Sequence, residues 1–306
     1  MWRMWAVAGL FVLTGTGWSE QKAAKPAITG ISHMTLYADN VIKSQSFYAD
    51  TLGWKQEPAG AANPGVRFYA NHEQYVELVS PPDKDRINRL DGIGFITADA
   101  EGMRRYLAGH GIAVPQKLKP EPDGGWSFEV RDPEGNQVSF EQTGPHPPSA
   151  PAQKPVSGHI IHVGVVAHNR AVLDAFYRDL LGFHLYWQGG AKPGDIDWVM
   201  MQVPDGTDWV EYMLYLPATP SRGQLGSANH FAPGVASVNV LRQDLLSRGW
   251  KPAEHQGTPL LGVDGKWQLD LLDPDGTRAE FMEFEPAKTP CCSTYTSPQP
   301  HPSDTW

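Results

Sequence analysis

The stretch Ile31-Ser-His33-Met-Thr-Leu-Tyr-Ala-Asp-Asn40 returns as Ile160-Ile-His162-Val-Gly-Val-Val-Ala-His-Asn169. Phe47-Tyr48-Ala-Asp50-Thr-Leu52-Gly53-Trp54 returns as Phe176-Tyr177-Arg-Asp179-Leu-Leu181-Gly182-Phe183, and both recurrences lie at an offset of 129. Tyr75-Val76-Glu77 then matches Trp209-Val210-Glu211 at 134, and Asp132-Pro133-Glu134-Gly135 matches Asp273-Pro274-Asp275-Gly276 at 141. Order persists while the offset drifts, which marks a tandem duplication whose second copy carries small loop insertions.

Within each copy the periodicity alternates. The segments around His33 and His162 are apolar or β-branched runs of strand length. Residues 43–52 and 170–181 follow with helical spacing, and Gly53 and Gly182 stand where helices stop. Strands are expected near 66–70 and 75–80, and near 198–203 and 209–216 in the second copy. A second cycle begins near 93–97 and 230–240, continues in helices near 99–109 and 241–248, and closes in strands flanking the Asp-Pro-acid-Gly turns. The reading is an α+β protein of two domains, each made of two βαβββ units.

Between the copies, residues 144–157 hold five prolines, a semi-rigid linker. This leaves domain one at 29–143, domain two at 158–286, and a Pro-, Ser- and Thr-rich tail at 287–306 expected to be disordered. The adjacent Cys291 and Cys292 are the chain's two cysteines and are expected as thiols, because a ring closed between neighbours is strained. A formal charge of −9 without a basic patch argues against nucleic acid as a partner. At the N-terminus, Arg3 precedes a short apolar run to Leu13 and the small residues Gly15, Gly17 and Ser19. That is the layout of a signal peptide, so residues 1–19 are expected to be removed and the protein exported, to periplasm or medium, with no membrane span in its mature form.

The strand-borne histidine, the Phe-Tyr-x-Asp-x-Leu-Gly helix end and the Asp-Pro-acid-Gly turn together resemble the vicinal oxygen chelate superfamily, over about residues 29–143 and 158–286. That group includes glyoxalase I, methylmalonyl-CoA epimerase, extradiol dioxygenases and bleomycin-resistance proteins. The resemblance implies a curved sheet cupping one divalent metal, with Zn, Ni, Mn and Fe(II) all compatible with imidazole and carboxylate donors. It assigns the ligands of the second repeat to His162, Glu211, His230 and Glu280, at intervals of 49, 19 and 50. Strand alternation alone allows either face of residues 280–284 to point inward; the resemblance selects Glu280.

The first repeat keeps His33 and Glu77, but its third position falls near Ile93 and its fourth at Ser139, with Glu141 two residues further on. Two pairings of units therefore stay open. A site within domain two uses His162, Glu211, His230 and Glu280; a swapped, glyoxalase-like site uses His33, Glu77, His230 and Glu280. The linker and the complete set in one repeat favour the former. As to reaction, Glu211 and Trp209 stand where the dioxygenase resemblance would call for a further histidine, and Asp270 where it would call for a tyrosine. The resemblance thus points to a lyase or isomerase on a small oxygen-chelating substrate, with Glu280 as metal-bound base and Asp270 as a second acid or base. A ring-cleaving Fe(II) dioxygenase and a non-catalytic small-molecule binder are the alternatives, and Trp198, Trp209, Met200 and Met213 could line the substrate pocket. For the leader, Edman sequencing of the native protein should start near Glu20; a cytoplasmic protein retaining Met1 contradicts export.

Overall fold

The computed structural model describes residues 24–60, 65–149, 154–252 and 256–304, so the expected leader, 1–19, lies outside the described residues. Domain one forms a curved eight-stranded sheet of β1 (Ile28–Tyr37), β2 (Lys55–Pro58), β3 (Val66–Tyr69), β4 (Tyr75–Val79), β5 (Leu90–Thr97), β6 (Lys119–Pro120), β7 (Trp126–Arg131) and β8 (Gln137–Gln142). Its order is β2-β3-β4-β1-β5-β8-β7-β6. Domain two repeats this with β9 (Ile160–Val166), β10 (His184–Gly189), β11 (Trp198–Gln202), β12 (Trp209–Met213), β13 (His230–Val235), β14 (Leu260–Leu261), β15 (Trp267–Leu272) and β16 (Arg278–Glu283). There the order is β10-β11-β12-β9-β13-β16-β15-β14. In both sheets the first strands of the two βαβββ units run antiparallel side by side, so each domain pairs its own two units.

Helices α1 (Val41–Gln45) and α3 (Arg170–Asp174) start at the asparagines that end the repeated strand motif. Asn40 accepts from the Lys43 amide and Asn169 from the Ala171 amide, each supplying an N-cap. Both helices run on through a π-type turn, to Thr51 and Leu180, and stop at Gly53 (φ 76°) and Gly182 (φ 80°), where a left-handed backbone suits glycine. Helix α2 (Ala100–Gly109) and helix α5 (Val238–Ser247) follow the central strands, and α4 (Arg222–Ala228) enters with a Ser221–Gln224 capping box that periodicity alone missed. The expected strand 230–240 ends early, at Val235: Ser237 accepts from the Val240 amide and turns the β-branched Val238 and Val240 into the helix. No helix among the described residues is long and apolar enough to cross a membrane.

The two domains share one core. Tyr48 and Trp54, at the end of the first helix, pack against Phe231 of β13; reciprocally, Tyr177 and Phe183 pack against Phe95 of β5. The same motif supplies the polar tie. The Tyr48 hydroxyl donates to Asp273 at 2.9 Å and the Tyr177 hydroxyl to Asp132 at 3.2 Å, each reaching the Asp-Pro-acid-Gly turn of the other domain. Asp208 accepts from the Ile31 amide and pairs with His159 at 2.6 Å, while Gln74 bonds both carbonyl and amide of Ile160.

The C-terminal segment departs from its expected disorder. Through residue 304 it is described, and it lies along β10, the edge strand of sheet two. The Thr296 amide donates to Tyr186 O, and Ser293 exchanges hydrogen bonds with both backbone groups of Gln188. An edge strand offers unpaired amides and carbonyls, and the tail supplies partners for them. Cys291 and Cys292 are joined in a disulfide rather than left as thiols, at a reversal where Cys292 has φ 74°.

Burial pushes the Asp273 carboxyl up to about 6, and the Tyr48 bond opposes that shift. A carboxyl raised above its unfolded value, near 4, weighs against the folded state as pH climbs through this window, so the hydroxyl matters most above it. Tyr48→Phe should therefore cost about 1.5–3 kcal/mol in denaturant unfolding at pH 8 and less at pH 4.5. An equal loss at both pH values contradicts this account.

Candidate metal centre

Four neighbouring strands at the middle of sheet two, β12, β9, β13 and β16, each contribute one polar side chain to its concave face: Glu211, His162, His230 and Glu280. The register brings them together. Glu211 and His230 both sit opposite Gly164 on the strand between them, and a β-carbon at residue 164 would lie 2.0 Å from the His230 ring. Glycine there lets the imidazole fold over β9. Trp209 stacks on the His162 ring at 4.7 Å and fixes its plane.

The two Nε2 atoms are 2.9 Å apart. Glu280 Oε2 lies 3.2 Å from His162 Nε2 and 3.0 Å from His230 Nε2; Glu211 Oε2 lies 3.8 and 3.4 Å from the same atoms. Bonds of about 2.0–2.2 Å to one ion put neighbouring donor atoms about 3 Å apart, so this set fits a single divalent ion. All four residues are buried, both histidines at 0% exposure. Two buried carboxylates cost the fold several kcal/mol, roughly, unless a cation offsets them. The His230 Nδ1 donates to Ala228 O at 2.9 Å, which turns the Nε2 lone pair inward, as metal-bound histidines are held. Burial lowers the His162 pKa and so keeps that imidazole neutral. At His230 burial and Arg278 lower the pKa, but Glu280 and Glu211 outweigh them and raise it. Glu280 is held well below the usual carboxylate range, since Arg278 and His230 overcome its burial.

Residues 162, 211, 230 and 280 thus form one group, the one such His and acid group found among the described residues. The swapped set is divided, because His33 and Glu77 belong to sheet one. In that sheet the register places Gly92, one residue from the expected Ile93, where His230 stands, and Ser139 where Glu280 stands. His33 Nε2 meets Ser139 at 3.2 Å, and Glu141 faces inward, 3.3 Å from His33 Nδ1. Arg67 occupies the position of Met200, and its guanidinium binds Glu77 and Glu121, each at 2.8 Å, over the Tyr75 ring. A fixed organic cation takes Glu77, the carboxylate whose counterpart, Glu211, the second repeat keeps for its centre.

Beside the four donors opens a cleft of about 370 Å³. Trp198, Met200 and Met213 line it as expected, whereas Trp209 lies beneath His162. Asp270 lies directly across from Glu280 in the β15–β16 register; burial raises its pKa, and its Oδ1 has no hydrogen-bond partner. The residue that the sequence reading missed is Arg278. Two positions before Glu280 on the same strand, it shares that face by alternation. It donates to Glu280 Oε1 at 2.9 Å, leaving Oε2 toward the imidazoles.

A family model described as the Glyoxalase/Bleomycin resistance protein/Dioxygenase superfamily matches residues 30–140 and 159–287. No curated protein matches the chain. Among solved structures, the 2,3-dioxygenase LapB from Pseudomonas sp. KL28 superposes at a TM-score of 0.61 with 16% identity, over 92% of this chain and 96% of that one. An E323L mutant of homoprotocatechuate 2,3-dioxygenase from Brevibacterium fuscum gives 0.62 and 17%, over 89% and 74%. The Mn(II)-bound glyoxalase from Novosphingobium aromaticivorans gives 0.61 and 20%, over 84% and 83%. At these identities the likeness is one of fold.

Loss of one ligand should cost more than the roughly 10–100-fold in affinity that an outer partner costs. Elemental analysis after dialysis should find one metal per chain in the wild type and none in His162→Ala, His230→Ala or Glu280→Ala, while His33→Ala stays loaded. Retention by His162→Ala with loss in His33→Ala contradicts a centre in domain two.

Proposed function

The chain belongs to the glyoxalase/bleomycin resistance protein/dioxygenase superfamily, and on that premise we propose that it is an exported, metal-dependent lyase or isomerase acting on a small substrate through two adjacent oxygens. The observation that carries this reading is the fourth donor: Glu211 joins Glu280 and two histidines within one group whose ligand atoms all lie within 4.8 Å. Two histidines with one carboxylate leave the open positions that oxygen chemistry uses. A second carboxylate suits an ion that works as a Lewis acid without changing its oxidation state.

Once bound, such an ion would stabilise negative charge developing on the paired substrate oxygens. The chain's own groups supply the rest. His162, Glu211, His230 and Glu280 would hold the centre. Glu280, with Oε1 tied to Arg278 and Oε2 turned toward the imidazoles, serves better as a ligand than as a base. Asp270, facing the cleft across the β15–β16 register from Glu280 and half exposed, is the better placed base for a proton next to a carbonyl. Trp198, Met200 and Met213 would shield the cleft from water.

Protein purified without chelators should carry zinc, nickel or manganese and show no oxygen uptake with catechols. Asp270→Asn should keep the metal while losing about 10²–10⁴-fold in turnover of any substrate found. Iron together with oxygen consumption on a catechol moves the assignment to ring cleavage, and a metal-free protein moves it to simple binding.

A further inference from the structure

The C-terminal segment ties the two walls of the domain-two cleft together at one residue. The Cys291 amide donates to Val263 O at 2.8 Å, on the turn between β14 and β15, and the Cys291 carbonyl accepts from the Trp187 indole of β10 at 3.2 Å. Val263 and Trp187 both line the cleft. On either side of this point the segment grips one wall again. The amides of Ala287 and Lys288 donate to Gly265 O, while Ser293 and Thr296 bond the backbone of Gln188 and Tyr186. Cys292, next to the bridging residue, has φ 74° and is the one non-glycine residue with positive φ among the described residues. That region is costly for any residue with a β-carbon. The bond between the two sulfurs links Cys292 back to Cys291 across the reversal.

As a brace this bond does little. A disulfide restrains the unfolded chain more as the loop it closes lengthens, and neighbours in sequence close almost none. Its position suits another use. Both cysteines are exposed, where an incoming thiolate can reach a sulfur. They are also the only two cysteines of the chain, so a reductant has no other disulfide to act on.

We propose that Cys291–Cys292 is a redox modification site, a thiol–disulfide switch whose reduction by a dithiol unties the C-terminal segment from the two walls of the cleft. One thiolate of the dithiol attacks a sulfur of the pair, the S–S bond breaks and a mixed disulfide forms. The second thiol of the reductant then displaces the cysteine thiolate. Two electrons and two protons pass to the pair, which becomes two thiols, and the reductant leaves as its own disulfide. Released from the ring, Cys292 returns to the ordinary negative φ. The reversal that aims the Cys291 amide at Val263 and its carbonyl at Trp187 is then lost. The oxidised protein keeps the walls tied, and the reduced one lets them part. The switch acts on the walls and needs no ion at the centre.

Alkylation with iodoacetamide followed by mass spectrometry counts the thiols, and hydrogen exchange reads the tie. Protein purified in air should show no free thiol, and after excess dithiothreitol it should show two. Reduction should speed amide exchange at least about tenfold in peptides covering 184–190, 260–266 and 287–297, as loss of the two Cys291 bonds implies, and leave domain one unchanged. The double variant Cys291→Ser/Cys292→Ser should exchange at the reduced rate with or without dithiothreitol, which also controls for any effect of the dithiol on a bound metal. Two free thiols in the air-purified protein, a pair that excess dithiothreitol leaves oxidised, or equal exchange in the oxidised and reduced forms overturns the switch. So does a speed-up that extends through domain one, which makes the bond a brace of the whole fold.

Discussion

The first helix of each repeat is packed between two sheets at once, and the rest of the structure depends on that shared cover. Tyr48 stacks on Phe68 of its own domain and also packs on Phe231 of the other. Tyr177 relates in the same way to Tyr212 and Phe95. The ring buries apolar area against both sheets, while its hydroxyl needs a partner once it leaves water. That partner is the aspartate of the other domain's turn, which is why the helix-end and turn motifs recur together in both copies. With the convex faces closed in this way, the concave faces are free to carry chemistry, and the copies can differ there without disturbing the joint.

They do differ. In sheet two, four adjacent strands present two imidazoles and two carboxylates around a space the size of one ion. In sheet one the glutamate and the first histidine survive, yet Arg67, Ser139 and Glu141 complete a closed set of hydrogen bonds and ion pairs. Both arrangements answer the same electrostatic demand, a buried carboxylate on a curved sheet. A covalently attached cation answers it permanently and leaves no open coordination position.

Much of this could be read in the sequence because repetition tests itself. His162, Glu211, His230 and Glu280 each occur in a short strand context, and period-two alternation assigns their faces. The paired units within one sheet, by contrast, depend on which first strands become neighbours, and no local pattern encodes that. Val238 and Val240 read as strand until Ser237 is recognised as a cap. Arg278 stands two before Glu280 and so on the same face, but a lone arginine at a strand start belongs to no repeated motif that would mark it. The tail misled for a compositional reason: proline, serine and threonine lack core-forming side chains, but an unpaired strand edge needs only backbone and hydroxyl partners, which such residues supply.

The placement of that tail also bears on timing. The indole of Trp187, which lines the cleft, donates to Cys291 O, and Val263 on the opposite wall accepts from the Cys291 amide. Domain one in turn waits for Phe231 and Asp273 to cover the end of its first helix. Synthesis from the N-terminal side therefore leaves the first helix of domain one uncovered until Phe231 and Asp273 are made, and the walls of the cleft untied until Cys291 is. Closure of the cleft is thus coupled to the fold of the second domain through the segment around Cys291, which ties Trp187 to Val263.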